Sequence, residues 1–251
     1  MQVGIRDGLF GGKKSDPFAA WYPRWGTSDI VLALNGIYNK GIGEDRDDNS
    51  QTWTDLANGI VFSRANGANG YAKWGTNRLE FDSTKRLMLG TIPQLSDNNG
   101  FSLEVFGYWW TNWGVAVQTF AASGTSQINE VMPYASNTGV LIGIYGISSD
   151  AEYTYPSAPS TTDMCLTCDT QGSVVIYVNG EPVKTSTGVS GAMSKVRNLR
   201  RIFIGGNHTG IYQPNGSALY GMTIYQDALS AAEVASLYAA NVAHYGASAA
   251  T

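Results

Sequence analysis

The chain has 251 residues, 43% of them hydrophobic and 14% charged, with 30 glycines and a net charge of −4. This composition excludes a disordered chain, and the length suits one large all-β domain such as a sandwich or barrel. The basic residues are scattered and no apolar run approaches the roughly 20 residues of a membrane helix, so we expect neither nucleic-acid binding nor membrane insertion.

The N-terminal segment, residues 1–27, is rich in glycine, proline and aromatic residues but has no clear periodicity. Trp21, Tyr22 and Trp25 are too apolar for a free tail, so we expect an arm that packs on the body or on a neighbouring subunit. An ordinary strand and loop is the alternative. The segment has no signal-peptide hydrophobic region. Either the protein is not exported by that route, or a leader has been removed.

The stretch GEDRDDNS, residues 43–50, is predicted to be an acidic loop. Calcium takes six to eight oxygen ligands, and Asp45, Asp47 and Asp48 are the candidate ligands. The loop lacks the glycine and the closing glutamate of an EF-hand. A solvated loop without metal is therefore the alternative to a calcium site.

Short apolar runs separated by turn residues predict a series of strands from residue 28 onward. Asn179-Gly180 predicts a type I′ hairpin, and Trp53 and Asp55 are expected to have structural roles. With no internal repeat or linker, we expect a single domain over residues 28–251. The predicted strand regions are 28–39, 59–62, 74–90, 101–110, 115–121, 131–135, 140–146, 162–168, 173–183, 200–206 and 218–229.

The run FSLEVFGYWW, residues 101–110, has two different faces because side chains alternate along a strand. One face is typical of a core and consists of Phe101, Leu103, Val105 and Trp109. The other face combines a carboxylate, a phenol and an indole, which suits stacking on sugar rings, although aromatic side chains also fill cores. This second face and the aromatic residues in or near loops together provide six candidate carbohydrate contacts: Glu104, Tyr108, Trp110, Trp113, Tyr145 and Tyr212.

Cys165 and Cys168 are predicted to lie on one strand. At about 3.3 Å per residue their Cα atoms would be roughly 10 Å apart, whereas a disulfide requires less than about 7 Å. The chain contains no second Cys-x-x-Cys pair to complete a zinc site. We therefore expect two free, buried thiols.

The C-terminal stretch predicts a strand followed by a capped helix. Ser230 and Glu233 have the spacing of a capping box, Gly246 is placed to end the helix, and the apolar face is predicted to contain Val234, Leu237, Tyr238 and Val242. This ending resembles the laminin-G-like branch of the concanavalin A-like lectin/glucanase superfamily. SVVIYVNGEPV, LEFDSTKRLMLG and LNGIYN with TWTDLANG resemble further segments of that branch, the last of a bacterial and phage type.

The resemblance implies an all-β jelly-roll sandwich of two antiparallel sheets with one short C-terminal helix. Catalytic members of the superfamily carry Glu-x-Asp-x-x-Glu on one strand. The corresponding residues here are Glu80, Asp82 and Lys85, so the third carboxylate is absent and we do not expect an enzyme.

The resemblance further implies a non-catalytic, lectin-like recognition module, such as a decoration or fibre protein of a phage virion. Its partners would be cell-surface glycans or capsid proteins, with self-association into a homo-oligomer left open. Its location would be the virion surface or the cell exterior, without a classical signal peptide. A purely structural protein and a glycoside hydrolase with an unrecognised site are the alternatives.

Overall fold

The computed structural model describes residues 17–66, 68, 70, 72–82, 88–95, 100–110, 114–121, 130–131, 134–136, 139–145, 147, 151–156, 160–206 and 215–246, with side chains omitted for 114, 130–131, 134–136 and 145. The strands are β1 Ile30–Asn35, β2 Trp53–Thr54, β3 Val61–Arg64, β4 Leu79–Glu80, β5 Met88–Thr91, β6 Phe101–Trp109, β7 Gly114–Val115, β8 Val117–Ala121, β9 Glu130–Val131, β10 Tyr134–Ser136, β11 Gly139–Tyr145, β12 Glu152–Tyr155, β13 Ser160–Cys168, β14 Val174–Val178, β15 Glu181–Ser186, β16 Leu199–Ile204 and β17 Ala218–Tyr225. The helices are a 3-10 turn at Pro17–Ala20, α1 at Ala192–Val196 and α2 at Ala231–Tyr245. Among the described residues, no helix has both the length and the apolar character needed to cross a membrane.

The strands form an antiparallel sandwich, as the sequence predicted. The first layer is a seven-stranded sheet with the order β1-β17-β6-β13-β14-β15, to which β4 adds by pairing with β17. The strands opposite it form two five-stranded sheets, β2-β3-β5-β16-β8 and β12-β11-β10-β7, the latter with β9 paired to β11. The prediction of two sheets and one helix is therefore coarser than the structure, which divides the second layer and adds the short helix α1.

The main core lies between the layers, on the inner face of the seven-stranded sheet. The four β6 residues predicted for the core are all fully buried there: Phe101, Leu103, Val105 and Trp109. They pack with apolar side chains from the facing strands, such as Ile142 and Ile202. Burial of each such side chain contributes about 1.5–3 kcal/mol, so this face anchors β6 at the centre of the fold.

Helix α2 covers the outer face of the same sheet. Ser230 Oγ accepts the Glu233 N–H at 3.3 Å, and a Glu233 carboxylate oxygen accepts the Ser230 N–H at 2.8 Å, which confirms the predicted capping box. Gly246 ends the helix with a φ of 58°. The residues that the helix buries are Val234, Leu237, Asn241 and Tyr245, whereas the predicted Tyr238 and Val242 are only half-buried.

The described part of the N-terminal segment, residues 17–27, packs on this outer face beside α2. Phe18, Trp21 and Tyr22 are each at most 5% exposed. The Trp21 ring stacks on the His244 ring with their centroids 3.9 Å apart, and Arg24 forms an ion pair with Glu233 at 2.7 Å. Packing on the body was one of the two arrangements expected for the segment 1–27, and the described residues 17–27 adopt it. The domain boundary at residue 28 stays a prediction from the sequence.

Both edges of the seven-stranded sheet are modified against further pairing. At β1, the side chain of Asp55 accepts the Ala33 N–H, and the Asn58 side-chain amide donates to the Ile30 and Val31 carbonyls. At β15, Pro182 has no N–H to donate. The expected structural role of Asp55 is thus fulfilled, and Trp53 is fully buried with its indole N–H bonded to the Asn35 carbonyl.

Two further local predictions are confirmed. Asn179 and Gly180, which join β14 to β15, have φ values of 52° and 81°, as a type I′ hairpin requires. Cys165 and Cys168 are free and buried. Three residues apart on β13, they face opposite sides of the sheet, Cys165 beneath α2 and Cys168 in the main core.

Candidate functional site

A row of outer-face residues crosses the seven-stranded sheet beyond the C-terminal end of α2. Tyr108 of β6 pairs with Ala218 of β17, and Ala218 in turn pairs with Glu80 of β4. Cross-strand partners lie on the same face of a sheet, so the phenol and the carboxylate flank the small Ala218. β-pairing therefore brings together two residues that are 28 positions apart in the sequence.

Trp110 extends this row into solvent. Its backbone N–H donates to Ser217 Oγ at 2.9 Å, which fixes the chain where β6 ends. Its side chain is 41% exposed, and its ring centroid lies 6.3 Å from that of Tyr108. Gly216 has a φ of 84°, and a Cβ at this position would lie 3.1 Å from Trp110 Cγ. Glycine thus allows both the turn and the close approach of the indole.

Charged groups surround the Glu80 end of the row. Arg78 lies 3.2 Å from a Glu80 carboxylate oxygen and donates to the Tyr220 hydroxyl at 3.0 Å. Lys73 lies 3.2 Å from the other Glu80 oxygen. An exposed indole suits the apolar face of a sugar ring, while carboxylate and guanidinium groups can bond to its hydroxyls. We call Lys73, Arg78, Glu80, Tyr108 and Trp110 the aromatic row.

Among the sequence-predicted contacts, the structure brings Tyr108 and Trp110 together. Trp113 and Tyr212 fall outside the described residues. Tyr145 belongs to β11, in one of the five-stranded sheets, so its backbone lies in a different sheet from the aromatic row. Arg78, which lies just before β4 and bonds to Glu80, was not among the contacts predicted from the sequence. Its spacing of two residues from Glu80 was the local signal that could have indicated it.

Glu104 lies elsewhere, which corrects its assignment as a carbohydrate contact. It is 2% exposed, and its oxygens accept hydrogen bonds from Thr223 Oγ1 at 2.7 Å and from the Asn241 amide at 2.6 Å. Burial raises the pKa of its carboxyl to about 7. Helix α2 separates this group from solvent, so a glycan at the surface does not reach it.

Glu80 and Glu104 are too far apart to act together as the two carboxyl groups of a glycosidase. Glu104 lies four residues before Tyr108 on β6, so it is about 13 Å along the strand from the row that contains Glu80. Glycosidase carboxyl groups are about 5–9.5 Å apart. Glu80 is also held by two cations, and Lys85 falls outside the described residues.

The candidate calcium ligands use their oxygens within the loop. Asp47 Oδ1 accepts the Asn49 N–H at 2.8 Å, and Asp48 pairs with Arg46 at 2.7 Å. In the described part of the chain, no three side chains of the His, Cys, Asp or Glu type are grouped to hold a metal ion. Calcium at Asp45, Asp47 and Asp48 stays a prediction from the sequence.

A separate pocket of about 280 Å³ opens beside the N-terminal segment. Trp25 and Ile42 line it, and Ile42 is 54% exposed. Its lining has no charged side chain, and its other members are Gly26, Thr27, Ile30, Leu56 and Ala57. This pocket has fewer polar groups than the aromatic row and is the alternative candidate site for a ligand.

Comparisons with known proteins agree on the fold. A family model described as the concanavalin A-like lectin/glucanases superfamily matches residues 66–235, more than half of the chain. A search of curated proteins found no match.

Solved structures with a similar fold include a Trypanosoma rangeli sialidase, at 16% identity and a TM-score of 0.58 over 85% of this chain and 33% of the sialidase. The receptor-binding domain of botulinum neurotoxin D matches at 12% identity and a TM-score of 0.58, over 85% of this chain and 53% of that domain. A structure of botulinum neurotoxin type C, whose cell entry depends on interaction with two ganglioside molecules, matches at 12% identity and a TM-score of 0.58, over 85% of this chain and 51% of that chain. This chain spans a third to a half of these proteins, and such low identities establish the fold alone.

Proposed function

Because the chain belongs to the concanavalin A-like lectin/glucanase superfamily, we propose that it is a non-catalytic carbohydrate-binding module that uses the aromatic row. The observation that carries this proposal is Trp110, a large indole that is 41% exposed beside Tyr108 and the charged pair of Arg78 and Glu80. This combination provides a flat apolar surface and polar groups within one small area.

The carboxylate arrangement favours binding over hydrolysis. Glu80 is paired with Arg78 and Lys73, and its carboxylate oxygens can accept hydrogen bonds from sugar hydroxyls. The buried Glu104 has a raised pKa but no route to a surface substrate. Botulinum neurotoxin type C, one of the proteins with a similar fold, depends on two ganglioside molecules for cell entry. Binding of this chain to a cell-surface glycan is consistent with that similarity.

We further propose that this module belongs to a phage virion or another exterior surface, as a decoration, fibre or adhesin component. The support is the resemblance of LNGIYN and TWTDLANG to bacterial and phage members of the superfamily. Its partners would then be a host glycan and capsid or fibre proteins, and further copies of the chain could join the assembly.

A glycan array on the purified protein, followed by titration of the best ligand, tests the proposal. Trp110→Ala should reduce affinity at least tenfold without changing the melting temperature, because the indole is exposed. Val183→Ala is the matched control: this side chain is 39% exposed on the far edge strand β15, and its loss should leave affinity unchanged. Repeating the array with EDTA tests calcium at the acidic loop.

Three outcomes would overturn parts of the proposal. If Ile42→Ser abolishes binding and Trp110→Ala does not, the ligand occupies the pocket beside Trp25. If no glycan binds while the protein still joins a larger particle, the purely structural alternative holds. Cleavage of a bound glycan that is lost in Glu80→Gln would show a hydrolase.

A further inference from the structure

The outer face of the seven-stranded sheet buries two carboxyl groups next to each other. Glu104 of β6 and Asp163 of β13 are both at most 2% exposed. Glu104 pairs across the strands with Cys165, and Asp163 pairs with Phe106, so the two acids are diagonal neighbours on one face. Helix α2 and the N-terminal segment cover them.

The hydrogen bonds around the two acids are unequal. Both oxygens of Glu104 accept donors, from Thr223 and Asn241. Among the described residues, no donor is in good hydrogen-bonding geometry with either oxygen of Asp163, and the Asn241 amide, which bonds to Glu104, lowers the pKa of Asp163 only in part against burial. A buried ionised carboxylate without donors is strongly unfavourable. A protonated Asp163 can instead donate to Glu104, which accounts for the arrangement.

The groups that face the pair supply no compensating positive charge. From the N-terminal segment comes Tyr22, from β13 Cys165, from β17 Tyr225, and from α2 Tyr238 and Tyr245. His244 is exposed and stacks on the Trp21 ring, and Asp55 adds a further negative charge near Tyr22. Burial, followed by the charge of Glu104, raises the pKa of Asp163 well above its usual range.

One amide connects this pair to the elements above it. Asn241 of α2 donates to Glu104 at 2.6 Å and accepts the Trp21 indole N–H at 2.9 Å. The sheet, the helix and the N-terminal segment therefore meet at a single side chain. The main core lies on the opposite face of the sheet, so these covering elements can loosen while that core stays intact.

We propose that Glu104 and Asp163 form a proton-dependent latch. One proton shared by the two carboxyl groups keeps helix α2 and residues 17–27 on the sheet. Its loss leaves two adjacent negative charges in an apolar environment, where like charges repel strongly. Lifting the covering elements admits water and relieves this repulsion, so the latch opens as the pH rises above neutral.

The two cysteines report on this opening from within the same strand. Cys165 is 1% exposed beneath the latch, whereas Cys168 is fully buried in the main core. Maleimide labelling of the full chain, followed by peptide mass spectrometry, should show the ratio of Cys165 to Cys168 labelling rising at least fivefold between pH 6 and pH 9. The ratio corrects for the general effect of pH on thiol reactivity.

Asp163→Asn supplies the decisive comparison, because an amide donates to Glu104 at every pH. This variant should keep the labelling ratio nearly constant, as should Glu104→Gln, which removes the charge from the other partner. A ratio that is flat in the unaltered protein, or that rises equally in the protein and both variants, would overturn the proposal. If one variant fails to fold, the other still provides the comparison, and a flat ratio in the unaltered protein overturns the proposal in either case.

Discussion

At the scale of single residues, alternation along a strand predicts which face a side chain occupies but not what covers that face. The pattern in residues 101–110 correctly separated the core side chains from Tyr108 and Trp110. It assigned Glu104 to a ligand surface because nothing local indicates that Asn241, 137 positions away, lies over it. Burial by a distant element is a tertiary effect that strand periodicity does not contain.

The buried side chain of Asp55 connects the β1 edge strand to the turn that follows β2. Its oxygens accept the backbone N–H groups of Ala33, Ala57 and Asn58. Asp55→Ala leaves these donors unpaired, so we expect a loss of about 3 kcal/mol or more in the free energy of unfolding.

Urea denaturation measures this loss. Asp48→Ala is the matched control, because that side chain is 66% exposed and pairs only with Arg46 among the contacts described, and its loss should change stability by less than about 0.5 kcal/mol. Equal effects in the two variants would contradict the edge-holding role of Asp55.

At the scale of elements, local signals were the most informative. The capping box, the Asn-Gly hairpin and most strands depend on neighbouring residues and were predictable. Strand β12, residues 152–155, was not predicted, because the proline-containing sequences TYP and SAP at this point are typical of a loop. Beyond Leu237, the buried face of α2 was also predicted incorrectly, because Asn241 is polar and hydrophobic periodicity does not identify it as buried.

Helix α2 provides a prediction about its own N-terminus. Ser230→Ala removes the acceptor for the Glu233 N–H, and we expect a loss of about 1 kcal/mol in the free energy of unfolding. Ser230→Gly should cost only a few tenths of that amount, because glycine leaves the helix end open to water. Thermal unfolding monitored by circular dichroism distinguishes the two; an identical melting temperature for Ser230→Ala and the unaltered protein would argue against the cap.

At the scale of the whole molecule, opposite ends of the pH range should weaken the fold. Burial raises the pKa of Glu104 to about 7 and that of Asp163 well above its usual range. The stability from the protons that this pair holds is therefore fully present below about pH 4.5 and is lost as the pH rises through 7 and beyond. The Arg24 hydrogen bond lowers the pKa of Glu233 to about 2, so its contribution is present above about pH 4.5 and is lost as the pH falls towards 2.

The melting temperature should therefore be higher at pH 5 than at pH 8 or pH 2.5. Scanning calorimetry across this range measures it, and Glu104→Gln should flatten only the alkaline side of the profile. A maximum at pH 8 would show that the buried carboxyl group does not control stability as argued.

The N-terminal segment gives a second prediction at this scale. Deletion of residues 1–27 removes Phe18, Trp21 and Tyr22, each of which contributes about 1.5–3 kcal/mol when buried. The combined loss is a large part of the stability of a typical domain, but it falls on the outer face and leaves the main core in place. We therefore expect a shortened chain that still folds but unfolds at a much lower urea concentration. Deletion of residues 1–16, which keeps Phe18, Trp21 and Tyr22, is the control, and the urea midpoint should fall further when residues 17–27 are removed as well.

The protected edges of the seven-stranded sheet bear on how copies of the chain can crowd together. Asp55 and Asn58 occupy the β1 edge, and Pro182 interrupts the β15 edge. Exposed edges are the usual templates for runaway strand addition and cross-β fibres. Copies of this protein in a closely packed array would therefore contact each other through loops and sheet faces. Strand addition at the edges of this sheet, the first step of amyloid growth, would be disfavoured.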